Sequence, residues 1–264
     1  MHYADFRTRG WFLVDNVYVV LALVGTYLAI VALGPILMKN RQPFEFKRLI
    51  LVYNITVAVL NAYICYELFL RSKLLNYTWT CSPIESDGTD PNEVRLSTAI
   101  WLYYITKYIE FLDSLFFVLR KKENQLSFLH IYHHTVIVLY SWLIVKFFSY
   151  GLQKSLFDLL AYSPVMFNSG VHVIMYIYYG LSTLGPTVAK YLWWKKYLTL
   201  VQMIQFLIGM IIAITAYFTK CAFFSSKIYL MNFFFIGGFF LLFLKFYIDS
   251  YKKPAIATKS AKVQ

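Results

Sequence analysis

His130, His133 and His134 stand in the stretch Gln125-Leu-Ser-Phe-Leu-His-Ile-Tyr-His-His-Thr135, three imidazoles in a segment that otherwise reads as membrane-spanning helix. Positions i, i+3 and i+4 share a helix face, so the rings are expected to point into one common space. Ionisable groups within lipid are functional candidates by default. Two chemistries suit such a cluster. Imidazoles can ligate iron or zinc. Without metal, a neutral imidazole can take an acyl group from a thioester to give an acyl-imidazole, while a neighbouring histidine handles protons near pH 7. Carboxylates beside the rings would fix their tautomers and raise their basicity. Glu110 and Asp113 suit that role.

The elements that must position these groups are helices in a bilayer. The chain has 264 residues, 59% hydrophobic and 20% aromatic, with only 14% charged, a composition that excludes an ordinary soluble domain. Mostly apolar runs of spanning length fall near 14–38, 49–70, 97–119, 127–148, 156–179, 197–218 and 228–248. The expected class is therefore an all-α integral membrane protein with seven spans in one domain over 1–264, ending in a flexible cytosolic tail at 249–264. The first run exceeds the apolar core of a cleavable signal and is read as a retained span.

A net charge of +12 could suggest nucleic acid, but Lys and Arg lie in short loops rather than on one basic face, which excludes a nucleic-acid partner. If the loops alternate sides, one side carries eight basic residues and the other, which includes the tail, fourteen. The positive-inside rule then predicts a lumenal or extracellular N-terminus and a cytosolic C-terminus. Asn76-Tyr-Thr78, a glycosylation sequon, falls on the lumenal side. So do Cys81 and Cys221, for which a Cys81–Cys221 disulfide is expected. The sequon at Asn54 lies inside a span and should stay unmodified.

With sides assigned, a rise of ~1.5 Å per residue gives depths measured from the cytosolic helix ends. His130 to His134 lie ~5–10 Å in, Asp113 ~9 Å, Glu110 ~14 Å, Lys107 ~18 Å, His172 ~10 Å, and Gln202 and Gln205 ~8 and ~12 Å. Each has a plainer reading alone: Lys107, Glu110 and Asp113 as an ion-pair network, the glutamines as interhelical hydrogen-bonders, His172 as a core histidine. A polar residue at mid-span costs ~2.5–3.5 kcal/mol on insertion scales, so convergence from four spans argues for one buried site that opens to the cytosol. Arg120, Lys121, Lys122, Lys190, Lys195 and Lys196 would rim its mouth and attract a polyanionic carrier such as coenzyme A.

The His-x-x-His-His pattern resembles membrane desaturases and hydroxylases, yet their several histidine boxes need more ligands than the five histidines here supply, and His2 sits on the wrong side. A mononuclear metal site stays open on residue count alone. A stronger resemblance rests on four ordered blocks: Lys107-Tyr-Ile-Glu110-Phe-Leu-Asp113-Ser114, Gln125 through His134, Asn168-Ser-Gly-Val-His172-Val-Ile-Met-Tyr176, and Thr199-Leu-Val-Gln202-Met-Ile-Gln205-Phe206. Together they resemble the signature blocks of the eukaryotic very-long-chain fatty acid elongases. Ser114 stands where that family usually has threonine, which keeps the hydroxyl. Gln125 resembles the branch that includes users of polyunsaturated and very long saturated substrates.

The resemblance implies seven helices, six of them enclosing a narrow acyl tunnel, and condensation of acyl-CoA with malonyl-CoA to a 3-oxoacyl-CoA. Loss of carbon dioxide supplies the carbanion equivalent, so neither metal nor redox cofactor is expected. In this reading His133 is acylated and His172 stabilises the enolate or oxyanion. His130 and His134 orient the nucleophile, held by Glu110, Asp113 and Asn168, and Lys107 neutralises the carboxylates. Gln202, Gln205 and Tyr176 would line the substrate path, and Lys121, Lys122, Lys195 and Lys196 would meet the carrier. The resemblance further implies the endoplasmic reticulum membrane, with the reductases and dehydratase of the elongation cycle as partners, and it leaves a homodimer open. A receptor or transporter is the rival class, against which the short loops and the His and carboxylate set speak.

Overall fold

The computed structural model describes residues 8–77, 90–148, 157–218 and 226–252, and within them every regular element is helical. The helices are α1 (Val17–Met38), α2 (Lys47–Leu74), α3 (Pro91–Ile109), α4 (Phe111–Leu119), α5 (Phe128–Leu143), α6 (Phe157–Ser182), α7 (Pro186–Ala189), α8 (Lys195–Phe218) and α9 (Ser226–Tyr247). Wider π-helical turns extend α5 over Ile144–Phe148 and α9 over Ile248–Lys252. The first four residues of the expected 249–264 tail are thus helical, and 253–264 lie outside the described residues.

Local sequence sets where the helices that matter begin. Asn16 caps α1 by accepting from Tyr18 N at 2.9 Å. Asp90 caps α3 by accepting from Asn92 N at 2.6 Å, with Pro91 in the first turn where no amide is missed. Ser127 caps α5 by accepting from His130 N at 3.3 Å, which fixes the histidine helix to start at Phe128, two residues before its first imidazole.

Among the described residues, five helices are long and apolar enough to cross a membrane: Val17–Met38, Lys47–Leu74, Phe128–Lys146, Lys195–Phe218 and Tyr229–Lys252. Two expected spans fall short of that measure. The third is not the continuous 97–119 expected but begins at Pro91 and breaks at Glu110 into α3 and α4. The fifth, α6, is long enough at 26 residues but carries Ser163, Pro164, Asn168, Ser169, Gly170 and His172. In both, the residues proposed for chemistry are among those that dilute the apolar signal. Arg71 is also not a loop charge as expected, but lies in the last turns of α2, where its Nε meets Glu67 at 2.9 Å.

Neighbouring helices form a closed ring in which α2 packs on α3, α3 on α5, α5 on α9, α9 on α8, α8 on α6 and α6 back on α2. Helix α1 stands outside the ring against α4 and α5. Its buried residues, Val20, Val24, Tyr27, Val31, Gly34 and Met38, recur at alternating steps of four and three along one stripe. Leu21, Leu33, Ile36 and Leu37 face outward with half or more of their surface exposed, the arrangement lipid requires.

Candidate active site

The three clustered histidines divide between two sides of α5. A helix turns about 100° per residue, so His134 and His133 cannot face the same neighbour. His130 Nε2 lies 2.8 Å from Ser114 Oγ on α4, and Ser114 Oγ lies 3.1 Å from the Tyr27 hydroxyl on α1. His134 follows His130, at 4.4 Å between ring centroids, and both Tyr27 and Phe111 lie 6.4 Å from it. Its Nδ1 is buried with no hydrogen-bond partner among the described residues. His133 turns the other way, toward Phe239 at 5.4 Å, Phe243 at 6.5 Å and His172 at 6.5 Å between centroids. The common space expected for all three rings is therefore two spaces, one against α1 and α4 and one inside the ring.

Glu110 sits at the break between α3 and α4. The tightened turn there runs through a hydrogen bond from Asp113 N to Glu110 O at 3.1 Å, and the Ile109 carbonyl accepts from the Tyr53 hydroxyl on α2 at 3.3 Å. A side chain from another helix thus satisfies backbone at the break, as a bilayer interior demands. Glu110 Oε1 accepts from Lys107 Nζ at 2.8 Å and lies 3.1 Å from His172 Nδ1, with Lys107 and Glu110 fully buried. Lys107 Nζ is also 3.4 Å from His172 Nδ1 and 4.3 Å from the centre of the Tyr103 ring. Because Glu110 is acceptor only, the consistent tautomer puts the neutral His172 proton on Nδ1 and leaves Nε2 free to accept.

The carboxylates accordingly serve α6 rather than the triplet on α5. Asp113 Oδ2 accepts from the Tyr176 hydroxyl at 2.6 Å, and Asn168 Oδ1 accepts from Tyr103 at 2.9 Å. Tyr27, Tyr53 and Tyr103 join the site without having been expected there. Tyr103 stands one turn before Lys107, and that spacing was the signal available for it. Tyr27 and Tyr53 come from helices without a charged site residue, and nothing local marks them.

Inside the ring lies a chamber with a mostly apolar lining. His133, Asn168, Gln205 and Tyr103 are polar members of its lining, and Phe206, Gly209 and Ile236 are among the apolar ones. Gln202 instead donates to Met175 Sδ at 3.6 Å. At the end of the bundle where α4 finishes and α8 starts, Lys122, Lys195 and Lys196 are exposed. Lys121 differs from the other expected carrier-binding residues, since its Nζ donates to the Lys39 carbonyl after α1 at 2.9 Å. Among the described residues no three His, Cys, Asp or Glu side chains are grouped to hold a metal ion. Asn76 is exposed at the end of α2 in a left-handed conformation. Cys81 and Cys221 lie outside the described residues, as does Thr78 of the sequon.

Fold and site define a class: a multi-pass helical membrane protein with buried histidines, one of them lining an apolar chamber, and a buried charged pair. The chain belongs to the ELO family (GNS1/SUR4), whose model matches residues 12–259. It is 39% identical over 256 residues to very long chain fatty acid elongase 4 of Macaca mulatta, covering 95% of this chain and 77% of that protein. It is 36% identical over 255 residues to very long chain fatty acid elongase 1 of Mus musculus, covering 96% and 88%. Against very long chain fatty acid elongase 2 of Mus musculus it is 39% identical over 253 residues, covering 96% and 82%. The names of these relatives tie the family to fatty acid elongation.

Proposed function

We propose that this protein condenses a long-chain acyl-CoA with malonyl-CoA to a 3-oxoacyl-CoA two carbons longer, with release of carbon dioxide and coenzyme A. The observation that carries the reading is His133, which lines the apolar chamber, standing 6.5 Å from His172 between ring centroids, with the Glu110 and Lys107 pair against His172. In the first half, a ring nitrogen of His133 attacks the thioester carbonyl. The C–N bond forms, the C–S bond breaks, and coenzyme A leaves with the imidazole proton. In the second half, malonyl-CoA loses carbon dioxide as its C–C bond breaks, and the enolate carbon attacks the acyl-imidazole. A C–C bond forms, the C–N bond breaks, and the departing imidazole takes up a proton from water, which restores the neutral His133 ring. His172, held through Nδ1 by Glu110, offers Nε2 to take up or return a proton near the oxyanion. Decarboxylation supplies the carbanion equivalent, so the reaction draws on no redox cofactor.

The relatives' role in elongation supports residence in the endoplasmic reticulum with a lumenal N-terminus and a cytosolic C-terminus, where exposed Lys122, Lys195 and Lys196 would meet the phosphates of coenzyme A. The reductases and dehydratase that finish the cycle would take the product. Purified protein given acyl-CoA alone should release one burst of coenzyme A and carry a mass adduct on His133. Absence of both burst and adduct, with product still formed once malonyl-CoA is added, would replace the covalent route by direct condensation. Stoichiometric iron or zinc that tracks activity would overturn the metal-free reading.

A further inference from the structure

The chamber carries a second polar level that the condensation does not use. Ser141, two turns beyond His133 on α5, lines the chamber with a relative exposure of 2%, and its Oγ has no hydrogen-bond partner among the described residues. Beside it the Tyr140 hydroxyl donates to Asn232 Oδ1 of α9 at 2.7 Å, and Asn232 is also buried and also lines the chamber. On α5, Ile137 lies midway between Ser141 and His133, and Val165, Gly209 and Ile236 add to the apolar wall. A buried hydroxyl left unpaired is costly, and serine in a helix ordinarily turns its proton to the carbonyl four residues back, as Thr106 and Thr135 do here. Ser141 does not. Its hydroxyl stands buried and unpaired in the chamber wall.

Eight residues of α5 separate Ser141 from His133, an axial distance of ~12 Å. An extended chain advances ~3.3–3.6 Å for every three backbone bonds, so an acyl chain held at His133 reaches the second level after about ten carbons. A saturated chain brings no acceptor there. A carbon–carbon double bond brings a π face, to which a hydroxyl donates a weak hydrogen bond. The Tyr140 ring, stacked on Phe235 at 4.1 Å, closes the same level with a flat wall.

Resting on the condensation reading, we propose that Ser141, with Tyr140 and Asn232 beside it, is a specificity-determining group that favours acyl chains carrying a cis double bond about ten carbons from the thioester. The test is a competition in one vessel between equal-length acyl-CoAs, one saturated and one unsaturated, with products resolved by mass. The ratio of products cancels any loss of folded enzyme. Wild-type protein should prefer the chain unsaturated at that depth over one whose double bond lies four carbons nearer the thioester. Ser141→Ala should lower the unsaturated-to-saturated ratio about two- to five-fold, and Ser141→Thr, which keeps a hydroxyl, should restore part of it. An unchanged ratio in Ser141→Ala, or a wild-type preference indifferent to double-bond position, overturns the inference and leaves condensation standing. No product from any acyl-CoA with malonyl-CoA overturns the condensation reading and this one with it.

Discussion

Glu110 holds two nitrogen donors on one oxygen, Lys107 at 2.8 Å and His172 at 3.1 Å, while its Oε2 is buried with no partner among the described residues. Removal of one member leaves the other charge stranded in the bundle, at a typical cost of ~3–5 kcal/mol. Lys107→Met and Glu110→Gln should therefore each lower the melting temperature in detergent clearly. The double variant should recover most of that loss, because neither charge remains. Condensation should not recover with it. Without Glu110 the His172 tautomer is no longer fixed, and a loss of roughly 10²–10⁴-fold is expected in both Glu110→Gln and the double variant. Additive melting temperatures across the cycle would show that the two charges are not coupled. The residue types of this triad were legible in the sequence, each on its span. Which carboxylate meets which imidazole was not, because the break at Glu110 reorients the chain between Lys107 and Asp113. Depth alone cannot report that rotation.

At the scale of elements, the apolar periodicity located most helices, α6 among them, to within a few residues, and it missed the break at Glu110 where the site is built. Helix α3 breaks at the carboxylate it presents, and α6 is too polar to count as a span by composition. Helix α1 illustrates a demand that hydropathy cannot carry. A Cβ placed on Gly34 would lie 2.5 Å from Val118 Cγ1 of α4, and valine has no flexible end to give way. Small residues permit such close approach between membrane helices. Gly34→Val should cost ~1–3 kcal/mol through overpacking and displace α1, which supplies Tyr27 to the Ser114 and His130 chain. Val118→Ala in the same molecule should return most of the lost thermal stability and activity. Failure of that rescue would mean that the α1 and α4 contact is not what Gly34 protects.

For the whole molecule, the order of helices around the ring was not legible in the sequence, because it depends on contacts such as α2 with α6 and α5 with α9 between distant segments. The side of the membrane on which each end lies is nevertheless an inference from charge alone, and the two sequons and the cysteines can test it together. Asn76 is exposed just after α2, whereas Asn54 is buried within α2 and donates to the Ile50 carbonyl. If that end is lumenal, an endoglycosidase should shift the mobility of wild-type protein made on membranes and should leave Asn76→Gln unshifted, with Asn54→Gln indistinguishable from wild type. The chain has three cysteines, of which Cys65 is free in α2. A Cys81–Cys221 bridge in an oxidising lumen predicts one reactive thiol in denatured, unreduced protein and three after reduction. Each substitution, Cys81→Ser or Cys221→Ser, should raise the unreduced count to two by releasing the other partner. Three thiols before reduction, with no glycan at Asn76, would place this end of the bundle in the cytosol and reverse the sidedness on which the mouth for coenzyme A depends.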